Sequence, residues 1–223
     1  MKKINNSMYK ITCNYLIVIS LVFFHALNSF AQNDQDAVKI LDKFSANALS
    51  APSVSMKFRL ITINQIENTN DTLSGHIILN KDKYKLNLPD NIIWFNGETS
   101  WSYLPAEKEV TITRADKKDN SFQNHPSAIF SMYKNGYKSR LIEENTESYI
   151  IDLYPEDIKT DLLRVRLSIG KSQMDLRSVE YKKRDGIVVT LKVSEYNLKL
   201  KTEPDMFNFQ PAKFKGVEVI DMR

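Results

Sequence analysis

From Val54 onward the chain alternates apolar and polar residues with period two. Val54, Met56, Phe58 and Leu60 point one way, with Ser55, Lys57 and Arg59 between them. Leu163, Val165, Leu167 and Ile169 alternate with Arg164, Arg166 and Ser168, and Ile187, Val189, Leu191 and Val193 do so with Val188, Thr190, Lys192 and Ser194. Side chains that repeat every second residue share one face of a pleated strand. Weaker versions occur near 74–80, 83–88, 91–95, 99–104, 108–114, 139–143, 148–154 and 175–183, with a short last one at 217–221. The pattern predicts about 10–12 strands. Asn96-Gly97 and Asp185-Gly186 read as type I′ hairpin turns, so the strands they join are antiparallel.

Two segments break the alternation. Before the strands, Ala37, Leu41, Phe44 and Ala48 recur at helical spacing, with Asn33, Asp34 or Asp36 as a cap and Pro52 beyond the end. Between strands, the polar stretch Ala115–His125 leads into Pro126-Ser127-Ala128-Ile129-Phe130-Ser131-Met132-Tyr133-Lys134, which reads as a short helix stopped at Asn135-Gly136. That helix is apolar around most of its circumference, which predicts a place across the mouth or inside of the sheet. With no repeat or linker, the fold class is mainly β (α+β). A sheet of this many strands must curl into a barrel or stack as a sandwich to hide its edges.

The first thirty residues follow a different logic. Lys2, Lys3 and Lys10 precede the apolar run Tyr15–Phe24, and Ser29-Phe30-Ala31 offers small residues at a cleavage position. This is the pattern of a signal peptide over residues 1–31, with residues 32–223 as a single exported domain. The one cysteine, Cys13, falls inside the leader. The expected mature chain therefore has no disulfide and no thiolate site. The leader also supplies three of the cations behind a net charge of +4. What remains is close to neutral, without the broad positive footprint of a nucleic-acid binder.

Catalytic chemistry is thin. Outside the leader only His76 and His125 remain, neither at metal-ligand spacing. No nucleophile elbow is present, and six glycines form no phosphate loop. The pairs Glu143/Glu144 and Glu156/Asp157 sit in turn-like polar stretches, where a solvated face outweighs acid–base work. The expectation is a non-enzyme with no metal and no cofactor. Large apolar and aromatic side chains on the strands dominate instead, and a packed core and a lipid pocket need the same ones.

Several stretches together resemble the periplasmic outer-membrane lipoprotein carrier family (LolA). Gly97-Glu98-Thr99-Ser100-Trp101-Ser102-Tyr103-Leu104-Pro105, continuing to Glu109-Val110, is similar to that family's tryptophan hairpin. In order around it stand the opening helix at Ala37–Leu41, the strands Ser74–Leu79 and Tyr84–Leu86, the Pro126–Tyr133 helix and Phe207–Pro211. Gly216-Val217-Glu218-Val219-Ile220-Asp221-Met222-Arg223 closes the chain. The resemblance implies an unclosed antiparallel barrel with helices as a lid. It implies a periplasmic, monomeric carrier that shields lipoprotein acyl chains between an inner-membrane releasing transporter and an outer-membrane acceptor, with only transient membrane proximity. The alternative is a binding or sensor module of the same fold for another hydrophobic ligand. Candidate cavity residues are Phe58, Leu60, Tyr84, Leu86, Trp94, Trp101 and Tyr103 on strands, and Ile129, Phe130 and Met132 on the lid. One departure stands out: where the best-known members carry a gating arginine followed by proline, this chain reads Lys81-Asp82-Lys83.

Overall fold

The structure, a computed structural model, describes residues 28–115 and 125–223, with side chains from Gln35 onward. The basic and apolar stretches of the expected leader, Cys13 and most of the polar loop after Ala115 lie outside the described residues.

Among the described residues one helix, α1 (Asn28–Ser50), precedes all the strands. It starts upstream of the expected caps at Asn33, Asp34 and Asp36, and it crosses the expected cleavage point. Nothing between Asn28 and Ser50 is a proline or glycine, so no residue breaks the helix there. Its stripe of Ala37, Leu41, Phe44 and Ala48 is buried.

Among the described residues twelve strands then form a single sheet. They are β1 (Val54–Asn64), β2 (Thr69–Asn80), β3 (Lys83–Asn87), β4 (Ile92–Phe95), β5 (Thr99–Leu104) and β6 (Glu109–Arg114), followed by β7 (Tyr137–Glu144), β8 (Ser148–Pro155), β9 (Leu162–Gly170), β10 (Leu176–Lys183), β11 (Ile187–Asn197) and β12 (Glu218–Asp221). The order is β12-β6-β5-β4-β3-β2-β1-β11-β10-β9-β8-β7. Two meanders are thus zipped together by the pairing of β1 with β11. β7 and β12 are left as free edges, so the barrel is unclosed. The edge strand β7 blunts itself with Lys138, Arg140, Glu143 and Glu144, charges that discourage further pairing.

Three local expectations need correction. β12 pairs with β6 in parallel, not antiparallel. The chain between β11 and β12 crosses the back of the sheet before it pairs, and a crossover of that length allows a parallel direction that a short hairpin would forbid. The two hairpins are not type I′. Gly97 and Gly186 have φ of +98° and +79°, but Asn96 and Asp185 do not join them in the left-handed region. Instead, Asn96 Oδ1 accepts the N–H groups of Glu98 and Thr99 at 3.0 and 2.9 Å, and Asp185 Oδ1 accepts that of Ile187 at 3.0 Å. The side chain replaces the second left-handed residue that a I′ turn requires. Lastly, Pro126–Lys134 forms two successive 3₁₀ turns, Pro126–Phe130 and Met132–Lys134, rather than one helix.

Candidate functional site

Strand register builds an apolar trough on one face of the sheet. Phe58 stands between Gly75 and Val193, Leu60 between Leu73 and Leu191, and Leu86 between Ile77 and Ile93. Tyr84 lies between Leu79 and Phe95. On the far side Val179 meets Leu167, which meets Ile151. Past β4 the same face turns polar: Ile93 opposes Ser102, which opposes Thr111, and Phe95 opposes Ser100, which opposes Thr113. The floor therefore ends in rows of hydroxyls on β5 and β6.

The cover over this floor is uneven. Ile151, Leu153, Val165, Leu167 and Ile169 are fully buried, whereas Leu60, Leu73, Leu86, Leu88, Ile93 and Val193 are half-buried. The covered half lies beneath α1, which packs on β7, and beneath the Pro126–Lys134 turns. Ile129 and Phe130 insert into the trough at 1% exposure each, and Met132 is half-buried beside them. Phe130 meets Phe44 of α1 at 5.4 Å between ring centres.

A polar contact ties the two covering pieces together: the Tyr133 hydroxyl donates to Asp42 Oδ1 at 2.5 Å. Burial, reinforced by that bond, pushes the tyrosine pKa up to about 12 from 10.0. Burial does the same to Tyr84 on the floor, also up to about 12. The unfolded chain then loses these protons before the folded one does. Their contribution is complete below about pH 10 and is lost as pH rises toward 12. Equilibrium unfolding is expected to be flat through neutral pH and to weaken over that alkaline window. Tyr133→Phe should cost about 1 kcal/mol and shrink the alkaline loss, which denaturant titrations at pH 7 and 11 would measure.

Gly75 has a steric role on the floor. A Cβ there would stand 2.5 Å from Phe58 Cζ and 2.9 Å from Leu88 Cδ2. The bare backbone lets the Phe58 ring lie flat across β2. Gly75→Ala is therefore expected to lift that ring and cost about 1–3 kcal/mol by overpacking, visible as a lowered urea midpoint.

Seven of the ten sequence candidates come together in this trough: Phe58, Leu60, Tyr84, Leu86, Ile129, Phe130 and Met132. Trp94, Trp101 and Tyr103 gather elsewhere, on the opposite face, with Val110, Phe209 and Phe214. Trp94 meets Phe209 and Phe214 edge-on at 5.5 and 5.6 Å, and Tyr103 meets Phe214 at 4.8 Å. These rings fasten the crossing segment to the back of the sheet. A cleft of about 360 Å³ beside them is lined by Lys85, Lys213 and Trp94, with Lys85 Nζ 5.5 Å over the indole. Burial, and then repulsion from Lys213, lowers the Lys85 pKa. A second cleft of about 500 Å³ lies at the β2–β3 turn, between Lys81, Lys83, Gly97 and Phe207. The Lys81-Asp82-Lys83 stretch is that turn, with Lys81 at φ +54°.

The chemistry-bearing residues serve local structure. His76 Nε2 shares a 2.9 Å hydrogen bond with Ser55 Oγ, and burial, then Lys57, lowers its pKa. Glu143 accepts from Asn145, and Glu144 pairs with Lys171. Asp157 accepts the N–H of Lys159. Among the described residues no three His, Cys, Asp or Glu side chains gather as a metal site. Sequence reasoning missed the pairing of Tyr133 with Asp42 and the seat at Gly75. The helix stripe at Leu41 and Phe44 was the available signal for what roofs the trough.

Comparison with known proteins adds the family context. Residues 27–186 match the family model described as outer membrane lipoprotein carrier protein LolA. β11, the crossing segment and β12 lie beyond that match. No curated protein matches the chain. Among solved structures, it is similar to an uncharacterized conserved protein from Thermus thermophilus, with 14% identity and a TM-score of 0.55 over 83% of this chain and 99% of that one. That likeness concerns the fold. A putative outer membrane lipoprotein-sorting protein domain from Vibrio parahaemolyticus aligns over 79% of this chain and 97% of its own, at 13% identity and TM-score 0.43. A LolA superfamily protein from Nitrosomonas europaea aligns over 78% and 97%, at 13% and 0.41.

Proposed function

The chain belongs to the outer membrane lipoprotein carrier family, and from that premise we propose that it is a periplasmic acyl-chain carrier, exported by cleavage after Ala31, that shuttles lipoproteins toward the outer membrane. The observation that carries this reading is how the trough is roofed. Its floor belongs to the sheet, but its filling, Ile129 and Phe130, comes from short 3₁₀ turns held to α1 by the Tyr133–Asp42 hydrogen bond and the Phe44–Phe130 contact. Such a roof can leave without unpairing a strand.

The physics of the cargo demands something of this kind. Each of two or three acyl chains has roughly fifteen methylenes, and at about 0.8 kcal/mol per CH₂, extraction into water costs tens of kcal/mol. A soluble carrier must replace most of that burial and still release its load. Exchanging Ile129, Phe130 and Met132 for acyl methylenes swaps one set of apolar contacts for another, which keeps the net affinity moderate. The hydroxyl rows on β5 and β6 mark where the apolar floor stops and a polar anchor region fits. The transporter that loads the carrier and the acceptor that unloads it belong to the same reading, in which the chain itself needs no cofactor.

The test is release of lipoproteins from spheroplasts. Adding the protein is expected to bring soluble lipoprotein into the medium. Absence of release, together with no binding of a fluorescent acyl probe, would overturn the reading.

A further inference from the structure

The register sorts charge as well as hydrophobicity. Opposite the trough, the outer face of the sheet presents Lys57, Arg59, Arg140, Lys182 and Lys192, with Arg164 and Arg166 between them. Its carboxylates are engaged. Asp152 is held by Arg166, Glu180 by Arg164 and Glu195 by Lys57, while Glu143 accepts from Asn145. Arg59 and Lys192 stand directly across from each other on β1 and β11, both exposed, and no ion pair compensates either among the described residues. Like charges placed opposite on a sheet cost stability. An anionic layer laid against this face would relieve that cost.

One end of the same face carries exposed aliphatic residues. Ile63 on β1 is 38% exposed, Ile66 in the β1–β2 turn 77%, and Ile158 in the loop before β9 81%. Ile66 lies against Gly186, where an added Cβ would stand 3.0 Å from its side chain. Two residues earlier, Arg184 donates to the carbonyls of Ile158 and Thr160 at 3.3 and 2.9 Å. Ile66 and Ile158 therefore project from adjoining loops. The carboxylates there are exposed but most have a partner: Asp157 and Asp185 accept backbone N–H groups, Glu67 accepts from Asn64, and Asp161 pairs with Lys183, while Glu156 is exposed beside them.

The geometry points to an anionic lipid surface as the docking partner of this outer face, with Arg59, Lys182 and Lys192 against the headgroups and Ile66 and Ile158 between them. An acidic protein would satisfy the cations, but it would require a central packed anchor rather than aliphatic side chains at loop tips. A bilayer interface uses both features, adding attraction for each cation near the surface and burying the aliphatics at shallow depth. Docked in this way, the trough faces away from the membrane and stays open to a protein partner.

Vesicle flotation of the protein in its exported form tests this, with no lipoprotein present, so that its failure leaves the carrier reading standing. Binding to phosphatidylcholine vesicles carrying about 30 mol % phosphatidylglycerol is expected to exceed binding to phosphatidylcholine alone by about tenfold and to fall in about 0.5 M salt. Arg59→Glu/Lys182→Glu/Lys192→Glu should remove most of the difference. Arg59→Gln/Lys192→Gln, which removes the like-charge repulsion, should remove part of it with an unfolding midpoint at or above the parent's. Ile66→Ser/Ile158→Ser should lower the binding that survives salt. Equal binding to both vesicles, or parent-like binding by both charge variants, would overturn the proposal. So would retention on immobilised polyglutamate without any vesicle binding, which would assign the face to an acidic protein.

Discussion

Phe130→Ala is expected to destabilise the fold by about 3–5 kcal/mol and, in the same protein, to tighten binding of a fluorescent acyl probe. The first effect follows from burial: the ring is 1% exposed and packs on Phe44 at 5.4 Å, so truncation leaves a hole between α1, the 3₁₀ turns and the sheet. The second follows from competition. Under the proposed carrier reading, the ring occupies space that an acyl chain would fill. On that reading the apparent affinity for a probe is the open-roof affinity multiplied by the fraction of molecules whose roof is open. Weakening the roof raises that fraction, and each 1.4 kcal/mol moved onto the opening equilibrium is worth about tenfold in apparent affinity. Urea unfolding and a probe titration on the same preparation separate the two effects. Affinity that falls along with stability would make Phe130 an ordinary core residue.

Asp152→Ala should be comparably damaging to the fold and neutral for the ligand. Asp152 is 1% exposed although it points to the outer face, because Arg166 covers it with two hydrogen bonds at 2.7 and 2.8 Å and Arg164 stands at 3.6 Å. Tyr154 donates a third bond at 3.1 Å. Removing the carboxylate takes away the ion-pair partner of Arg166 and leaves Arg164 with Glu180 alone. Breaking a fully buried pair costs about 3–5 kcal/mol, and the partial exposure of both arginines reduces this to about 2–3 kcal/mol. Because the cluster lies across the sheet from the trough, probe affinity in the folded variant should match the parent. A large change in affinity would mean that the two faces are coupled through the sheet.

What could be read from the chain follows from where period two carries a phase. β1 and β9 alternate cleanly, so the inward set of Phe58, Leu60, Val165 and Leu167 is legible without a structure. Ile92-Ile93-Trp94-Phe95 is apolar at every position, so its alternation has no phase. Only register, with Phe95 opposite Tyr84 and Trp94 opposite Lys85, turns the indole to the outside. Trp101 and Tyr103 share a face, as their spacing requires, but spacing does not say which one. Their partners, Phe209 and Phe214, are about a hundred residues away and reach them only through the crossing segment. The parallel direction of β12 has the same origin, since four residues carry no directional signal of their own. The bond from Tyr133 to Asp42 joins two segments that look unrelated in the chain.

Photo-crosslinking with a diazirine-bearing fatty acid, followed by peptide mapping, tests the central claim most directly. Adducts are expected on Phe58, Leu60, Leu86, Ile129, Phe130 and Met132, the residues of floor and roof. Adducts confined to Trp94, Trp101 and Tyr103, or none on the trough at saturating probe, would contradict it.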